Sequence, residues 1–240
     1  FLGMKYLLPI SLLAIFASCN DTDQPDLSSV CYPWKVDSVK IDFAKYVDPM
    51  IGTAGHGHTF PGACAPFGMV QLGPDNGVDG WDWCSGYNYS SNTIAGFSHT
   101  HLSGTGIGDG YDISVLPQNH TDSMLEERIH EPFRHEKEKA SPGYYAVNLE
   151  NGIQCEMTAT ARTGFHRYEF PSDTGWLRWD PSYHQNWDFP DSCELKIIND
   201  STIAGYKHST GWAKNQRVYF EARFNKPIIR FIWIKDSSVI

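Results

Sequence analysis

Histidine, tryptophan and aspartate side chains in three glycine-rich segments are the residues of this sequence best suited to chemistry. The segments are residues 46–69, 80–89 and 99–106. Long apolar side chains are scarce in them, so they predict shaped loops whose backbone approaches a ligand closely rather than core strands or helices. Flat rings beside a few hydrogen-bonding groups suit a sugar, which offers C–H faces for stacking and hydroxyls for polar contacts.

The histidines form two pairs with one residue between the members, His56 with His58 and His99 with His101. In an extended segment such pairs point to the same side, so they could hold a metal, and zinc is the ion such ligands favour. No carboxylate stands at a matching spacing, and glycine-rich loops hold imidazole rings poorly, so we assign no metal ligand here. Hydrogen bonds from the rings to substrate hydroxyls or loop carbonyls are favoured, and purely structural histidines compete with both readings.

The middle segment places Asp82 between Trp81 and Trp83. An exposed indole beside a carboxylate makes a stacking platform with a hydroxyl acceptor. Core packing for the tryptophans, with a capping role for the aspartate, explains the same pattern equally well. The sequence therefore predicts a sugar-binding surface here while leaving the structural reading open.

Hydrolysis of a glycoside needs two carboxyl groups, an acid and a base or nucleophile, on opposite sides of one bond. The candidates in the loop region are all aspartates: Asp75, Asp79, Asp82, Asp109 and Asp112. Nothing in the sequence would keep one of them protonated near neutral pH. We therefore assign no catalytic residue to this chain.

Period-two alternation predicts strands at residues 141–149, 154–161, 163–170, 176–179, 194–198, 202–208, 216–224 and 228–234. Many short strands without alternating helices predict an all-β protein, a sandwich or a barrel. Residues 124–139 are rich in acidic and basic side chains and predict a short surface helix or an extended loop. With a net charge of −9, the chain lacks the basic face that nucleic-acid binding requires.

The N-terminal residues predict export. Met4 and Lys5 precede an apolar run, residues 6–17, and Cys19 follows Ser18, which resembles a bacterial lipobox. Met4 is then the start, residues 1–19 are a lipoprotein signal peptide and Cys19 is lipidated, an anchor rather than a membrane span; plain secretion is the alternative. Residues 20–40 predict a tether and residues 41–240 the folded domain, with its C-terminal end cut from a longer protein.

Of the remaining cysteines, Cys64 with Cys84 is the one pairing to test, although small buried thiols are favoured. The odd number left after Cys19 and the lack of a CxxC motif argue against a zinc knuckle.

Five long motifs, in order from residue 46 to residue 227, resemble the glycoside hydrolase family 92 α-mannosidases. The matching strings are VDPMIGTAGHGHTFPGACAPFGMVQLGPD, GWDWCSGYNYS, IAGFSHTHLSGTG, SPGYYAVNLENGIQCEMTATARTGFHRYEFP and IAGYKHSTGWAKNQRVYFEARFNKP. The resemblance implies exo-acting, calcium-dependent, inverting hydrolysis of mannose-containing glycans such as N-glycans. It also implies a large antiparallel β-sandwich of the supersandwich type, packed on a C-terminal (α/α)6 catalytic domain of the same polypeptide.

In the family the acid, the base and the calcium (Ca²⁺) ligands belong mainly to that C-terminal domain, before which this chain is expected to end. The fragment alone is then inactive and supplies loops to the sugar pocket. By motif position the substrate-binding residues are His56, His58, Phe60, Trp81, Asp82, Cys84, His99 and His101. Residues 181–192 are less typical of the family, and no role is carried onto them.

The resemblance and the N-terminus together predict part of an α-mannosidase, a bacterial lipoprotein in the periplasm or on the outer-membrane surface. Two alternatives stay open. One is a free-standing carbohydrate-binding module. The other is a peptide N-glycanase-like amidase acting on glycoproteins, for which Cys84, His99 and Asp112 are the nearby candidates.

Overall fold

A computed structural model of the chain describes residues 42–119, 129–235 and 238–239, which belong to one unit, Asp42–Ile240. The signal peptide expected at residues 1–19, the lipidation expected at Cys19 and the tether expected at residues 20–40 lie outside the described residues. In the part of the chain that is described, no helix has the length and apolar character needed to cross a membrane.

Strands joined by loops and turns make up the described chain. The strands are β1 (Ala63–Cys64), β2 (Gln71–Asp75), β3 (Thr93–Ile94), β4 (Gly96–Ser98), β5 (Ser114–Gln118), β6 (Glu131–Ser141), β7 (Tyr144–Leu149), β8 (Gln154–Ala159), β9 (Gly164–Glu169), β10 (Trp176–Asp180), β11 (Phe189–Asn199), β12 (Thr202–Thr210), β13 (Gln216–Arg223), β14 (Ile234–Lys235) and β15 (Ser238–Val239). The 3-10 turns are η1 (Phe43–Tyr46) and η2 (Trp81–Trp83).

Two five-stranded sheets carry the loops of interest. One has the order β1-β2-β4-β5-β10 and the other the order β3-β6-β7-β8-β9. A three-stranded sheet, β11-β12-β13, and the short hairpin β14-β15 complete the described structure. Each strand pairing is antiparallel, so the prediction of an all-β antiparallel sandwich is confirmed.

The core lies between the two five-stranded sheets. Leu72, Phe97 and Leu116 of the first sheet belong to one apolar cluster with Tyr145 and Met157 of the second. In β7 and β8 alternate residues are buried, as the period-two pattern of the sequence requires. Burial of each large side chain contributes roughly 1.5–3 kcal/mol, so this cluster holds the sheets that position the loops.

Two segment predictions were wrong. Residues 131–139, expected in a helix or loop, form most of β6, because they pair with β7 and bury Phe133 while their charged side chains reach solvent. The strand predicted at residues 228–234 is reduced to Ile234–Lys235. Residues 228–233 have no strand partner among the described residues, and Ile229 and Phe231 are exposed.

Candidate functional site

Four of the predicted site residues meet at one place, the His–Trp–Asp cluster of His56, His58, Trp81 and Asp82. His56 Nδ1 lies 2.5 Å from Asp82 Oδ1, and His58 Nε2 lies 3.8 Å from the same oxygen. The Trp81 ring packs against both imidazoles, with ring centroids 5.1 Å from His56 and 4.3 Å from His58. The first two glycine-rich loops therefore build a single surface.

Hydrogen bonds to backbone carbonyls hold the loops of this cluster together. Asn88 Nδ2 donates to the carbonyls of Gly55 and Asp82, at 3.2 and 3.1 Å, which joins the first loop to η2. The Gly104 amide donates to the His58 carbonyl at 2.6 Å, which ties in the third loop. His58 itself has a φ of 55°, a conformation that such contacts must stabilise in a residue with a β-carbon.

The cluster is open on one side and closed on the other. Trp81 is 53% exposed, whereas His58 is only 7% exposed. An indole face therefore meets solvent with the partly exposed Asp82 carboxylate beside it, which is the geometry that sugar stacking with a hydroxyl acceptor needs. The capping reading does not hold for Asp82, since the N-cap of η2 is Gly80.

His101 lies beneath the surface in a buried polar network. Its Nδ1 donates to the Gln71 carbonyl at 2.7 Å, and its Nε2 lies 3.0 Å from Asp75 Oδ1. The Phe60 ring stacks on it at 4.5 Å. The Ser98 amide donates to the other oxygen of Asp75 at 3.2 Å. Phe60 and His101 thus belong to a buried network that joins the third loop to β2 and β4.

His99 belongs to a separate chain of hydrogen bonds. Its Nδ1 donates to the Ile113 carbonyl at 2.8 Å, so its Nε2 is left to accept, and it lies 3.0 Å from His166 Nε2. His166 Nδ1 in turn lies 2.8 Å from the Tyr168 hydroxyl. Neutral rings satisfy this series of hydrogen bonds, and burial lowers the pKa of both histidines.

The hydrogen bonds of His99 and His166 predict a pH dependence of stability. Because the folded-state pKa of His166 is lowered, the unfolded state binds the proton first as pH falls below about 6.5, so stability present above that pH is lost below it. Between pH 7.5 and pH 5 the unfolding free energy of His166→Gln should fall less steeply than that of the unsubstituted chain. The difference in slope is expected to be a part of the ~1.4 kcal/mol per pH unit that one titrating group can contribute. Urea titrations at several pH values measure it, and equal slopes in both proteins would contradict it.

Cys84 is buried within the loops, and the Tyr111 hydroxyl donates to its carbonyl at 2.5 Å. Burial raises the pKa of its thiol, which disfavours the nucleophilic thiolate. The described cysteines Cys64, Cys84, Cys155 and Cys193 are free, so the disulfide considered from the sequence, Cys64 with Cys84, is not formed. Cys84 and Cys155 are the small buried thiols expected, whereas Cys64 and Cys193 are exposed.

The loop carboxylates divide into a buried and an accessible group. Asp75, Asp109 and Asp112 are buried and bonded to protein groups. Asp79 and Asp82 reach solvent, but Asp79 Oδ1 accepts from the Asn186 amide. Among these five aspartates, Asp82 is therefore the one that combines access to solvent with a place in the cluster.

Two groups that hold the site were missed by sequence reasoning, one in residues 181–192 and the other at Lys207. Asn186 and Gln185 belong to residues 181–192. Asn186 Oδ1 accepts a hydrogen bond from the Gly80 amide at 2.6 Å, and Gln185 Nε2 donates to the Val78 carbonyl at 2.7 Å, so both residues fix the loop that carries η2. Lys207 of β12 is fully buried, pairs with Asp112 at 3.2 Å and with Asp188, and donates to the Gly110 carbonyl at 3.1 Å. An isolated lysine at an inward position of an alternating strand was the available signal.

The chain is similar to known proteins over most of this structure. The model of the glycosyl hydrolase family 92 N-terminal domain matches residues 46–239. An uncharacterized secreted glycosidase of Arthroderma benhamiae is 37% identical over 139 residues, which are 54% of this chain and 18% of that protein. This chain therefore spans a small part of that relative's length.

Solved structures resemble it as well. A family 92 α-mannosidase from Bacteroides thetaiotaomicron, in complex with mannoimidazole, superimposes with a TM-score of 0.75 at 39% identity, over 82% of this chain and 27% of that one. A family 92 inverting mannosidase from Bacteroides thetaiotaomicron VPI-5482 gives a TM-score of 0.65 at 26% identity, over 82% of this chain and 27% of that one. The chain thus corresponds to about a quarter of each solved enzyme.

Proposed function

The chain belongs to glycosyl hydrolase family 92, and on that premise we propose that it is the N-terminal domain of an exo-acting, inverting α-mannosidase that trims mannose-containing glycans such as N-glycans. The observation that carries this proposal is the His–Trp–Asp cluster, an open indole face with a carboxylate and two imidazoles at its edge. The mannosidases of similar structure, one of them bound to mannoimidazole, support mannose as the sugar.

In this proposal the chain binds and orients the sugar. The exposed Trp81 face stacks on the C–H face of the terminal mannose, and Asp82 and His56 bind its hydroxyls. His58, Phe60, Cys84 and His101 are proposed to close the wall of the pocket, whereas His99, whose ring nitrogens contact Ile113 and His166, is assigned no contact with the sugar. In an inverting mechanism an acid protonates the leaving oxygen while a base activates water across the ring. Both belong to the further (α/α)6 catalytic domain proposed for the whole enzyme.

The proposed enzyme depends on calcium, an ion that takes six to eight oxygen ligands. The described loop residues do not fit that ion. Asp75, Asp109 and Asp112 are buried and engaged with protein groups, and Asp82 faces two imidazole nitrogens. As the family resemblance implies, we assign the calcium ligands mainly to the catalytic domain, and no step of the chemistry is assigned to calcium in this chain.

Trp81→Ala tests the stacking role. Loss of one aromatic stacking contact costs about 1–1.5 kcal/mol, so binding of α-1,2-mannobiose or mannose should weaken roughly tenfold. Calorimetric titration of the chain, with calcium and with chelator, measures the affinity, and an assay of free mannose run in parallel should detect none.

Trp212→Ala is the matched control, since Trp212 is 68% exposed on the β12–β13 connection and lies outside the cluster. Equal weakening in both variants, or no binding by the unsubstituted chain, would contradict the proposed platform. Release of mannose by the chain would show instead that an acid lies within these residues.

The alternative of a free-standing carbohydrate-binding module shares the same surface and differs in the fate of the sugar. Mannoside binding in a native protein that has no mannosidase activity would favour it. The amidase alternative loses support, because Cys84 is buried and the ring nitrogens of His99 contact Ile113 and His166 rather than Cys84 or Asp112.

Export is part of the proposal. A relative described as a secreted glycosidase supports it, together with the N-terminal sequence. We place the enzyme in the periplasm or on the outer-membrane surface as a bacterial lipoprotein anchored through Cys19. Mass spectrometry of the N-terminal peptide from the native protein tests the lipid on Cys19.

A further inference from the structure

The His–Trp–Asp cluster brings together three groups that bind transition metals. One ligand atom each from His56, His58 and Asp82 lies within 4.8 Å of the other two. His56 Nδ1 lies 2.5 Å from Asp82 Oδ1, a hydrogen-bond contact that a bound cation would replace, with the two atoms moving apart to roughly 3.3 Å, the spacing of neighbouring ligands in a tetrahedral zinc site. The aspartate that the sequence did not offer by spacing is supplied by the fold, from 26 residues away.

His58 supplies an independent observation. The His58 side chain is only 6% exposed, yet its Nε2 has no hydrogen-bond partner in the described structure. A buried polar atom without a partner costs free energy, so such an atom indicates a missing one. This nitrogen lies 3.8 Å from Asp82 Oδ1, on the same oxygen that His56 approaches.

The three ligands are also held in place before any ion binds. The Gly104 amide fixes the His58 carbonyl, and Asn88 joins the Gly55 and Asp82 carbonyls. The Trp81 ring packs against both imidazoles and so restricts their rotation. A preformed set of two nitrogens and one carboxylate avoids much of the ordering cost that binding otherwise carries.

We propose that His56, His58 and Asp82 form a three-ligand binding site for a transition-metal cation, zinc being the fitting ion, with a fourth position open to solvent. Two imidazoles and a carboxylate match the nitrogen-rich, four-coordinate preference of zinc and not the all-oxygen preference of calcium. The same residues serve the proposed sugar platform. The metal site is tested with the metal alone, so its result does not depend on whether the chain binds mannose.

The test is titration of the full chain with zinc chloride by calorimetry, and with cobalt(II) by visible spectroscopy, which reports four-coordinate geometry. Cys19, Cys31, Cys64 and Cys193 are replaced by serine throughout to remove adventitious thiol ligands. One ion per chain is expected. His56→Ala, His58→Asn and Asp82→Asn should each weaken binding by more than about tenfold, and asparagine at position 58 tolerates the left-handed φ.

His184→Ala is the control, because this histidine lies outside the cluster and contacts the Ser182 carbonyl. Zinc should raise the unfolding temperature of the unsubstituted chain and of His184→Ala, and not that of Asp82→Asn, which also verifies that each variant is folded. Absence of stoichiometric binding, or binding that survives all three ligand substitutions, overturns the proposal.

Discussion

Lys207→Met is expected to lower the free energy of unfolding by about 3–5 kcal/mol, because removal of one partner from a buried ion pair leaves the other charge uncompensated. Lys207 is fully buried between Asp112 and Asp188 and also donates to the Gly110 and Tyr183 carbonyls. Methionine keeps most of the volume and removes only the charge and the donors. Denaturant unfolding at neutral pH measures the loss.

Lys196→Met is the control, since Lys196 is 63% exposed in its ion pair with Glu194 and should change stability by less than about 0.5 kcal/mol. Burial raises the pKa of Asp188, while Lys207 lowers it. Without Lys207 that pKa rises further, so the deficit of the variant should shrink as pH falls and Asp188 takes up a proton. A deficit below 1 kcal/mol, or one that grows on acidification, would contradict this assignment.

Gly86→Ala is expected to cost more than about 3 kcal/mol, from two sources. Gly86 has a φ of +87°, which is unfavourable by roughly 1–2 kcal/mol for a residue with a β-carbon. A β-carbon there would also overlap Asp75 Oδ1 and lie 2.9 Å from His101 Cδ2. Both groups are buried and bonded, so neither can move without breaking the network beneath the cluster.

Gly104→Ala separates the two sources. Gly104 has a φ of +72°, but a β-carbon there would meet no atom within 4 Å. It should therefore lose only the conformational part, about 1–2 kcal/mol. Thermal and denaturant unfolding of the two variants gives the difference, and equal losses would mean that the packing of Gly86 against Asp75 and His101 contributes nothing.

The parts of the fold that follow local rules were predictable. β7, β8 and β9 alternate with period two. Turns with positive φ at Gly143, before β7, and at Gly152, between β7 and β8, mark the strand ends, so sequence alone locates this part of the sheet. β5 could not be found in this way, because all five of its residues are buried and show no alternation. The charged β6 was also missed, because its pairing with β7 overrides its local propensity.

For the site, the sequence predicted which loops matter but not how their residues divide. His56, His58, Trp81 and Asp82 form a surface, whereas Cys84 and His101 are buried beneath it. Burial is a property of the tertiary structure, and nothing local distinguishes the exposed His56 from the buried His101. The contact between Asp82 and the histidine pair was likewise invisible, because it joins residues 26 positions apart.

The long sequence distances across the site also bear on how the protein is made. Lys207 binds Gly110 from 97 residues away, and Asn186 binds Gly80 from 106 residues away. At about 5–20 residues per second, a ribosome needs roughly 5–20 s to add the intervening stretch. The loops that carry the His–Trp–Asp cluster are thus synthesised well before the groups that fix them. During that interval these loops lack the contacts that fix them, so this surface can complete its folding only after residues 186–207 have been synthesised.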